Sequence, residues 1–231
     1  MVLKVFRWAP GARERLQKFW VQAKAGMTVL DALVDAQRRL DPTLAFRYAC
    51  RVGMCGSCAM VINGRERWAC RTLLRSLRAG TVTVRPLYHF PLIRDLVVDM
   101  APIREKMMTV GATFTPADGP AGFAEVSGAS PERQRIDPAI ECIGCGMCVS
   151  ACTMVAHDPR FPGPAALNRL FTLEADSRDA GGAMRAALLA SEDILLRCHT
   201  QANCVAVCPM EISPTTSILA LRRQAVARMF R

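Results

Sequence analysis

The chain has 231 residues, eleven of them cysteines, and about half of its residues are hydrophobic. This length allows one large domain or two domains of ordinary size. So many cysteines, in an odd number and in so long a chain, exclude the disulfide framework of a small secreted domain. No segment has the pattern of a signal peptide or the roughly 18 apolar residues of a membrane-spanning helix. We therefore expect a reducing compartment, in which clustered cysteines bind metals or perform redox chemistry.

The formal net charge of the chain is +10. A basic surface can face nucleic acid, an anionic membrane or an acidic protein. The arginines are scattered along the chain and no aromatic residues are interleaved with them, which argues against nucleic acid. The charge therefore favours a protein partner together with a membrane surface.

The first half of the chain has the pattern of a small β-rich domain. Apolar residues predict a hairpin, Thr28 and Asp31 have the spacing of a helix capping box, and Asn63-Gly64 is a tight-turn sequence. The predicted elements are strands at residues 3–8 and 18–23, a helix from 29 to about 40, and strands at 59–62 and 81–84. This order of elements is that of a small β-grasp ferredoxin.

The second half is predicted to be helical. Apolar residues recur every three or four positions from Leu92 to Met107, which indicates an amphipathic helix. Residues 110–131 are rich in small residues and Pro, and are predicted to form a linker or an extended surface segment. Further helices are predicted at 165–173, 183–197 and 214–229, the last with Ser213 as its N-cap.

The first block of cysteines has the spacing C-x4-C-x2-C, followed by a fourth cysteine beyond the Asn63-Gly64 turn. This is the spacing of a plant-type [2Fe–2S] cluster. Gly53 and Gly56 allow the loop backbone to approach the cluster, whose sulfur atoms can accept its amide N–H groups. The alternative is a zinc knuckle, which the four-residue interval and the glycines disfavour. The predicted ligands of this first cluster are Cys50, Cys55, Cys58 and Cys70.

Two further blocks, at residues 142–152 and 198–208, share one spacing pattern, in which Gln201 takes the place of a middle cysteine in the second block. In two-cluster ferredoxins the last cysteine of such a run binds the other cluster. The predicted ligands of a [4Fe–4S] cluster are therefore Cys142, Cys145, Cys148 and Cys208. The predicted ligands of a third cluster are Cys152, Cys198 and Cys204.

Three thiolates and a missing fourth are typical of [3Fe–4S], a cube that lacks one corner iron. The alternative at this third site is [4Fe–4S] with an oxygen or nitrogen ligand from Gln201. Two zinc sites would leave one site a cysteine short. The three predicted sets of four, four and three ligands together use all eleven cysteines. This complete use of the cysteines is the strongest evidence in the sequence for three iron–sulfur clusters.

The sequence resembles the iron–sulfur subunits of succinate dehydrogenase and fumarate reductase, the respiratory complex II family, over nearly its whole length. The motifs that carry the resemblance are the 50–58 loop with AMVING after it, RPLYHFPLIRDLVVDM (85–100), CIGCGMCVSAC, GPAALNRL (163–170) and CHTQANCVAVCP. The resemblance implies an α+β protein in two domains. A β-grasp [2Fe–2S] ferredoxin domain would cover residues 1–106, and an all-α two-cluster ferredoxin-like domain, with [4Fe–4S] and [3Fe–4S], would cover residues 107–231.

The resemblance also implies a place within an enzyme complex. The partners would be a flavoprotein subunit, whose FAD handles succinate and fumarate, and a membrane anchor that helps to bind quinone and can carry haem b. The chain would pass electrons between FAD and quinone, in either direction, from the cytoplasmic face of the bacterial inner membrane. No residue is predicted to make or break bonds.

The family's quinone site lies beside the [3Fe–4S] cluster. His199 matches the family position near the quinone, with Thr200 and Gln201 next to it. Arg222 falls where the family often has a basic residue on the last helix, although a solvated helix face would also explain it. We therefore predict that these four residues lie close to the quinone.

The sequence departs from the family near this site. The family commonly has a proline after the position of Cys152 and a tryptophan shortly after it that touches ubiquinone. Here Thr153 follows, and Ala156-His157 occupy the tryptophan region. The departure favours a menaquinone-type enzyme and makes His157 a further candidate for the quinone site, or a loop histidine without a role.

Two other functions remain possible from the sequence. The same three clusters could serve a different flavoprotein or a soluble acceptor. The cysteines could instead form a zinc-stabilised interaction module.

Overall fold

The computed structural model of the protein describes residues 1–78, 80–118, 126–189 and 192–230. Its contacts divide the chain into two compact units. The first consists of Met1–Met100 and Ile143–Ala151, and the second of Ala101–Cys142 and Cys152–Arg231. The predicted domain boundary between residues 106 and 107 lies inside helix α2 (Ala101–Thr109) and stays a prediction.

The first unit is built on a five-stranded mixed sheet with the strand order β2-β1-β5-β3-β4. Strands β1 and β5 are parallel, and the other neighbouring pairs are antiparallel. The strands are β1 (Val2–Arg7), β2 (Arg15–Trp20), β3 (Ala59–Ile62), β4 (Arg65–Trp68) and β5 (Thr81–Arg85). This mixed sheet agrees with the predicted β-grasp ferredoxin domain.

Strand β2 lies three residues earlier than the predicted strand at 18–23. It is an edge strand that pairs only with β1, and its register is fixed by pairs such as Val2↔Trp20 and Arg7↔Arg15. The apolar residues that suggested the later position do not decide the register, because Trp20 is 72% exposed on this edge.

Helix α1 (Val29–Arg39) packs its apolar face on the sheet, where Leu30 and Leu33 join the core of the first unit. The predicted capping box is present. The amide of Asp31 donates to Thr28 Oγ1 at 3.1 Å, and the amide of Thr28 donates to the Asp31 carboxylate at 2.9 Å. These bonds satisfy two amides at the start of the helix that would otherwise lack partners.

The predicted amphipathic helix from Leu92 to Met107 was wrong in its first half. Residues there form a short hairpin of β6 (Leu92–Arg94) and β7 (Val97–Val98), and the helix begins only at Ala101. The turn contains Asp95, whose φ of 47° is left-handed and whose side chain is buried. Its carboxylate accepts from Arg7 Nε at 3.0 Å and from the amides of Trp8 and Ala45 at 3.0 and 2.9 Å. These long-range bonds outweigh the local helical spacing.

Helices dominate the rest of the described chain. The bounds are α3 (Pro131–Ile140), α4 (Met147–Ser150), α5 (Thr153–His157), α6 (Pro164–Glu174), α7 (Gly182–Leu189), α8 (Glu192–Leu195), α9 (Asn203–Ala206) and α10 (Pro214–Met229). Helix α6 is the centre of the second unit. Its Asn168 donates to the carbonyl of Ala139 and accepts from the Ser217 hydroxyl, each at 2.9 Å, so that α6 ties α3 to α10.

The predicted helices of this half were largely correct. Helix α10 begins after Ser213, whose hydroxyl accepts from the amide of Thr216, and α6 covers the predicted 165–173. The predicted helix at 183–197 corresponds to two helices, α7 and α8, and residues 190–191 between them lie outside the described residues. Helix α3 was not predicted, although Ser130 as N-cap and Pro131 in the first turn are its sequence signals.

The predicted linker at 110–131 is partly described, because residues 119–125 lie outside the described residues. In the part before them, the amide of Ala117 donates to the carbonyl of Arg178 at 2.9 Å, so this stretch is held against the segment after α6. No helix among the described residues is long and apolar enough to cross a membrane.

Candidate iron–sulfur centres

The first cysteine loop lies between α1 and β3 and folds around the thiol of Cys50. Sγ of Cys50 accepts from the amides of Met54 and Cys55, each at 3.3 Å. Gly53 has a φ of +79°, and a Cβ at this position would lie 2.9 Å from Cγ of Arg71 and 3.0 Å from Cζ3 of Trp68. A side chain at this point would therefore need both a strained backbone and a shift of Arg71 and Trp68. The predicted approach of Gly53 to the cluster stays a prediction.

The other two cysteines of this block lie on the buried side of the loop. Cys58 immediately precedes β3 and Cys70 follows β4, and the β3–β4 hairpin brings the ends of these strands together. The amide of Ala69 donates to the carbonyl of Cys58 at 3.1 Å, and both cysteines are buried. The structure thus places Cys50 with Cys55, and Cys58 with Cys70, in one unit.

The environments of these thiols divide into two kinds. Hydrogen bonds from the amides of Val52, Cys55 and Met54 lower the pKa of Cys50 to about 6. Burial raises the pKa of Cys58 to about 12. A buried thiolate of this kind needs a cation to compensate for its lost hydration, which iron provides when a cluster is bound. The donor set, the amide donors and the glycine backbone therefore fit a [2Fe–2S] cluster.

The second run of cysteines is divided between the two units. Cys145 and Cys148 belong to the first unit, whereas Cys142 and Cys208 belong to the second. Within the first unit, a Cβ on Gly56 would lie 2.6 Å from Cβ of Cys145, so the first cysteine loop packs directly on the second. The assignment of the four cysteines to one [4Fe–4S] cluster stays a prediction.

The first unit also holds the turn that follows Cys148 in place. The hydroxyl of Ser150 donates to the carboxylate of Glu66 on β4 at 2.7 Å and accepts from the amide of Tyr88 at 2.9 Å. Glu66 is buried, and so is Ser150. This network was not predicted, because nothing in the spacing of Glu66 and Ser150 indicates that they meet.

The cysteines of the third site meet within the second unit. Cys152, Cys198 and Cys204 line one small cavity, together with Phe161 and Thr215. Burial raises the pKa of both Cys152 and Cys204, and the neighbouring thiols raise each of them further. The hydroxyl of Thr215 lies 3.4 Å from Sγ of Cys204. Three thiols around one cavity fit a cluster with three cysteine ligands, such as [3Fe–4S].

Three of the predicted quinone-proximal residues, His199, Thr200 and Gln201, line the same cavity. The side chain of Gln201 is held in place there, because its oxygen accepts a hydrogen bond from the Thr153 hydroxyl at 2.5 Å. Thr200 and Ala202, on either side of Gln201, have positive φ values of 54° and 59°. The loop that carries Gln201 is therefore held in a defined shape beside the thiols.

The other two predicted residues do not line this cavity. His157 is exposed at the end of α5 and is not among the described residues that line this cavity. The guanidinium of Arg222 donates to the carbonyl of Leu195 at 2.6 and 3.0 Å and to the carbonyl of Cys198 at 2.5 Å. Arg222 thus binds the backbone that leads into a predicted cluster ligand.

Comparisons with known proteins agree with this arrangement. Residues 2–105 match the family model of a 2Fe-2S iron-sulfur cluster binding domain, and residues 138–212 match that of a 4Fe-4S dicluster domain. The chain is 34% identical to the succinate dehydrogenase iron-sulfur subunit of Paracoccus denitrificans, over 97% of this chain and 88% of that protein. It is 36% identical to the fumarate reductase iron-sulfur subunit of Mycobacterium tuberculosis, over 94% of this chain and 90% of that protein.

The chain belongs to the family of succinate dehydrogenase and fumarate reductase iron–sulfur subunits. Its fold agrees with that of a solved relative. The structure titled "Mycobacterium smegmatis Sdh1 complex in the apo form" contains a chain that superposes with a TM-score of 0.83 at 27% identity, covering 100% of this chain and 97% of that one. The predicted family and fold class are therefore confirmed.

As a member of this family, the chain shows two contacts that its motifs did not predict. One is the bond between Thr153 and Gln201, and the other is the anchoring of the Cys198 backbone by Arg222. The sequence signal for the Thr153–Gln201 bond is limited to the unusual residue types at these two positions. The sequence has no signal for the contact of Arg222 with Cys198, because a basic residue on a helix is usually solvated.

Proposed function

We propose that this chain is the electron-transfer subunit of a succinate dehydrogenase or fumarate reductase, carrying electrons between a flavin and a membrane quinone. The observation that carries the proposal is the spacing of the eleven cysteines in three blocks, in a chain that matches this family along its length. The predicted ligand sets of four, four and three use all of these cysteines. The three sets would hold [2Fe–2S], [4Fe–4S] and [3Fe–4S], which supply reversible one-electron transfer.

The chain's own residues hold and tune these groups. The amides of the 50–58 loop stabilise negative charge on Cys50, and burial shields Cys58, Cys152 and Cys204 from water. Fixed amide donors and low solvent access are the means by which a protein sets the potential of a cluster. With three thiolates, the third site would hold a cluster of a different type from the second, and cluster type is one of the determinants of reduction potential.

The proposal includes partners outside this chain. An FAD-containing subunit would exchange electrons with the first cluster, and a membrane anchor, which can carry haem b, would help to bind quinone beside the third. The net charge of +10 supports a position on an anionic membrane surface, at the cytoplasmic face of the bacterial inner membrane.

The quinone would lie near the cavity of the third site. His199, Thr200 and Gln201 line this cavity, which supports their proposed place beside the quinone. The absence of the family's tryptophan, where Ala156-His157 stand, favours menaquinone. His157 is exposed on the neighbouring helix α5 and stays a candidate contact.

Iron and sulfide analysis, together with EPR of the isolated complex, tests the proposal. We expect a reduced [2Fe–2S] signal, a reduced [4Fe–4S] signal and an oxidised three-iron signal. The three clusters together would contain roughly 9 iron atoms per chain. A colourless protein with stoichiometric zinc would support the interaction module instead.

Copurification separates the remaining alternative. We expect the chain to purify with a flavoprotein that oxidises succinate or reduces fumarate, and with a membrane anchor that restores quinone reduction. A three-cluster chain that purifies with another flavoprotein and lacks both anchor and quinone reactivity would instead serve a different donor or a soluble acceptor.

A further inference from the structure

Arg222 connects the last helix to the segment that enters the third site. Its guanidinium donates three hydrogen bonds to the carbonyls of Leu195 and Cys198, and its side chain is partly buried by this contact. The fork of an arginine can reach two carbonyls at once, which a lysine ammonium cannot do with the same fixed geometry. The contact therefore holds the turn 195–198 against α10.

The contact of Arg222 also restrains the predicted cluster ligand Cys198. Helix α8 ends at Leu195, so the carbonyls at this end lack partners within the helix, and Arg222 supplies donors to them. The carbonyl of Cys198 belongs to the residue whose thiol lines the third cavity with Cys152 and Cys204. Fixing this carbonyl limits the backbone rotations that would move the thiol.

The contact also places a permanent positive charge beside the third site. An arginine stays charged throughout the accessible pH range, and its interaction with a nearby charge grows when both are partly buried. A cluster becomes more negative on reduction, so a fixed cation held on the backbone of one of its ligands favours the reduced state.

We propose that Arg222 is a positioning residue of the third cluster: it fixes the Cys198 segment and raises the potential of the cluster that Cys198 helps to hold. The inference rests on the proposed function, since it requires the third cluster. It assigns to Arg222 a role in the ligand framework, in addition to its predicted place near the quinone.

The test compares Arg222→Gln with Arg223→Gln in the complex isolated from its membrane, by redox titration of the oxidised three-iron EPR signal. Arg223 is the next residue on α10 and is exposed, so its substitution removes the same charge without removing the contact.

For Arg222→Gln we expect the ratio of reduced to oxidised third cluster, at a fixed potential, to fall roughly three- to tenfold. Tenfold corresponds to ~59 mV for a one-electron couple. For Arg223→Gln we expect a change smaller than about twofold, because an exposed charge is screened.

Arg222→Lys separates position from charge. Because the charge remains, we expect the potential to stay within about twofold of the parent ratio. The three-iron signal should be weaker or broader, because one ammonium cannot fix both carbonyls. This variant also serves if Arg222→Gln fails to accumulate.

Several results would overturn the inference. They are an unchanged titration in Arg222→Gln, an equal shift in Arg223→Gln, or an Arg222→Lys protein whose signal has full intensity and an unaltered line shape. Loss of the third cluster alone in Arg222→Gln, with the first two clusters intact, would support the positioning role. The parent protein's iron and sulfide content is measured in parallel: a parent without clusters would refute the proposed function, whereas a normal parent with unaffected variants would refute only the role of Arg222.

Discussion

Gln201 is the residue at which the third site departs from a four-thiolate site. It takes the place of a cysteine in the spacing pattern, and its side chain lies in the cavity lined by Cys152, Cys198 and Cys204. Its side-chain oxygen is engaged by the Thr153 hydroxyl. This hydrogen bond is expected to keep the oxygen from acting as a fourth ligand, which favours [3Fe–4S] over the alternative with Gln201 as a ligand.

The substitution Gln201→Cys tests this assignment. We expect the new thiolate to complete the site and convert the three-iron centre toward [4Fe–4S], so that the EPR signal of the oxidised enzyme decreases strongly. Gln201→Ala is the matched control, because it removes the amide without adding a thiolate and should keep the three-iron signal. An unchanged signal in Gln201→Cys would count against the ligand assignment.

Gly56 is a second residue whose role depends on close approach. A Cβ there would lie 2.6 Å from Cβ of Cys145 and 3.1 Å from its Cα, and φ is +71°. Gly64 has a similar φ of +77°, but a Cβ there would meet open space. Both glycines have a left-handed backbone that would strain an alanine, and they differ in what its methyl group would contact.

Substituting Gly56 and Gly64 by alanine, one at a time, separates the effect of packing from that of backbone strain. We expect Gly64→Ala to cost about 1 kcal/mol of stability from backbone strain, and Gly56→Ala to cost about 3 kcal/mol, with loss of [2Fe–2S] or [4Fe–4S]. The measurements are the apparent unfolding temperature at a fixed scan rate and the iron content of the purified protein. Equal effects of the two substitutions would show that the packing of Gly56 on Cys145 is not important.

At the scale of elements, the β6–β7 hairpin shows how one buried side chain can determine secondary structure. Asp95 is only 2% exposed and accepts from Arg7 and from two backbone amides of distant segments. The hairpin therefore ties the end of β1 to the stretch that precedes the first cysteine loop. We therefore expect a less stable β6–β7 hairpin to leave the first cysteine loop more mobile.

The substitution Asp95→Asn tests this element. It leaves the buried Arg7 with less compensation and replaces one acceptor oxygen with a donor, so we expect a loss of about 3 kcal/mol. The apparent unfolding temperature should fall by roughly 6–12 °C. Asp35→Asn is the control, because it breaks only the exposed pair of Asp35 with Arg39 on α1 and should cost about 0.5 kcal/mol or less.

At the scale of the whole molecule, the central prediction is the crossed ligation of the second and third clusters. The proposal assigns Cys208 to [4Fe–4S] and Cys152 to [3Fe–4S], so each cluster draws on cysteines that are far apart in the sequence. Such ligation makes the clusters part of the tertiary structure, and their assembly is therefore coupled to folding.

Paired serine substitutions test the crossing. We expect Cys208→Ser to weaken the reduced [4Fe–4S] signal and to spare the three-iron signal, and Cys152→Ser to do the reverse. The reduced [2Fe–2S] signal is the internal reference, since its four ligands lie in the first block. The opposite pattern of losses would show that each run of cysteines serves its own cluster.

The sequence by itself determined the chemistry, the family and most of the elements. Cysteine spacing within each block is local, so the three blocks could be predicted to bind clusters without coordinates. The crossed assignment of Cys152 and Cys208 rests instead on the rule for two-cluster ferredoxins. The capping box of α1 and the start of α10 could also be predicted, since each depends on residues within one helical turn.

Only the tertiary structure decided what depends on contacts between distant residues. The hairpin at 92–98 follows from the bond of Asp95 with Arg7, and the register of β2 follows from its pairing with β1. The engagement of Gln201 by Thr153 and of Cys198 by Arg222 joins residues that are 48 and 24 positions apart. Local spacing specifies which atoms can bind a cluster, but the burial and hydrogen bonds that tune the cluster come from side chains that only the fold brings together.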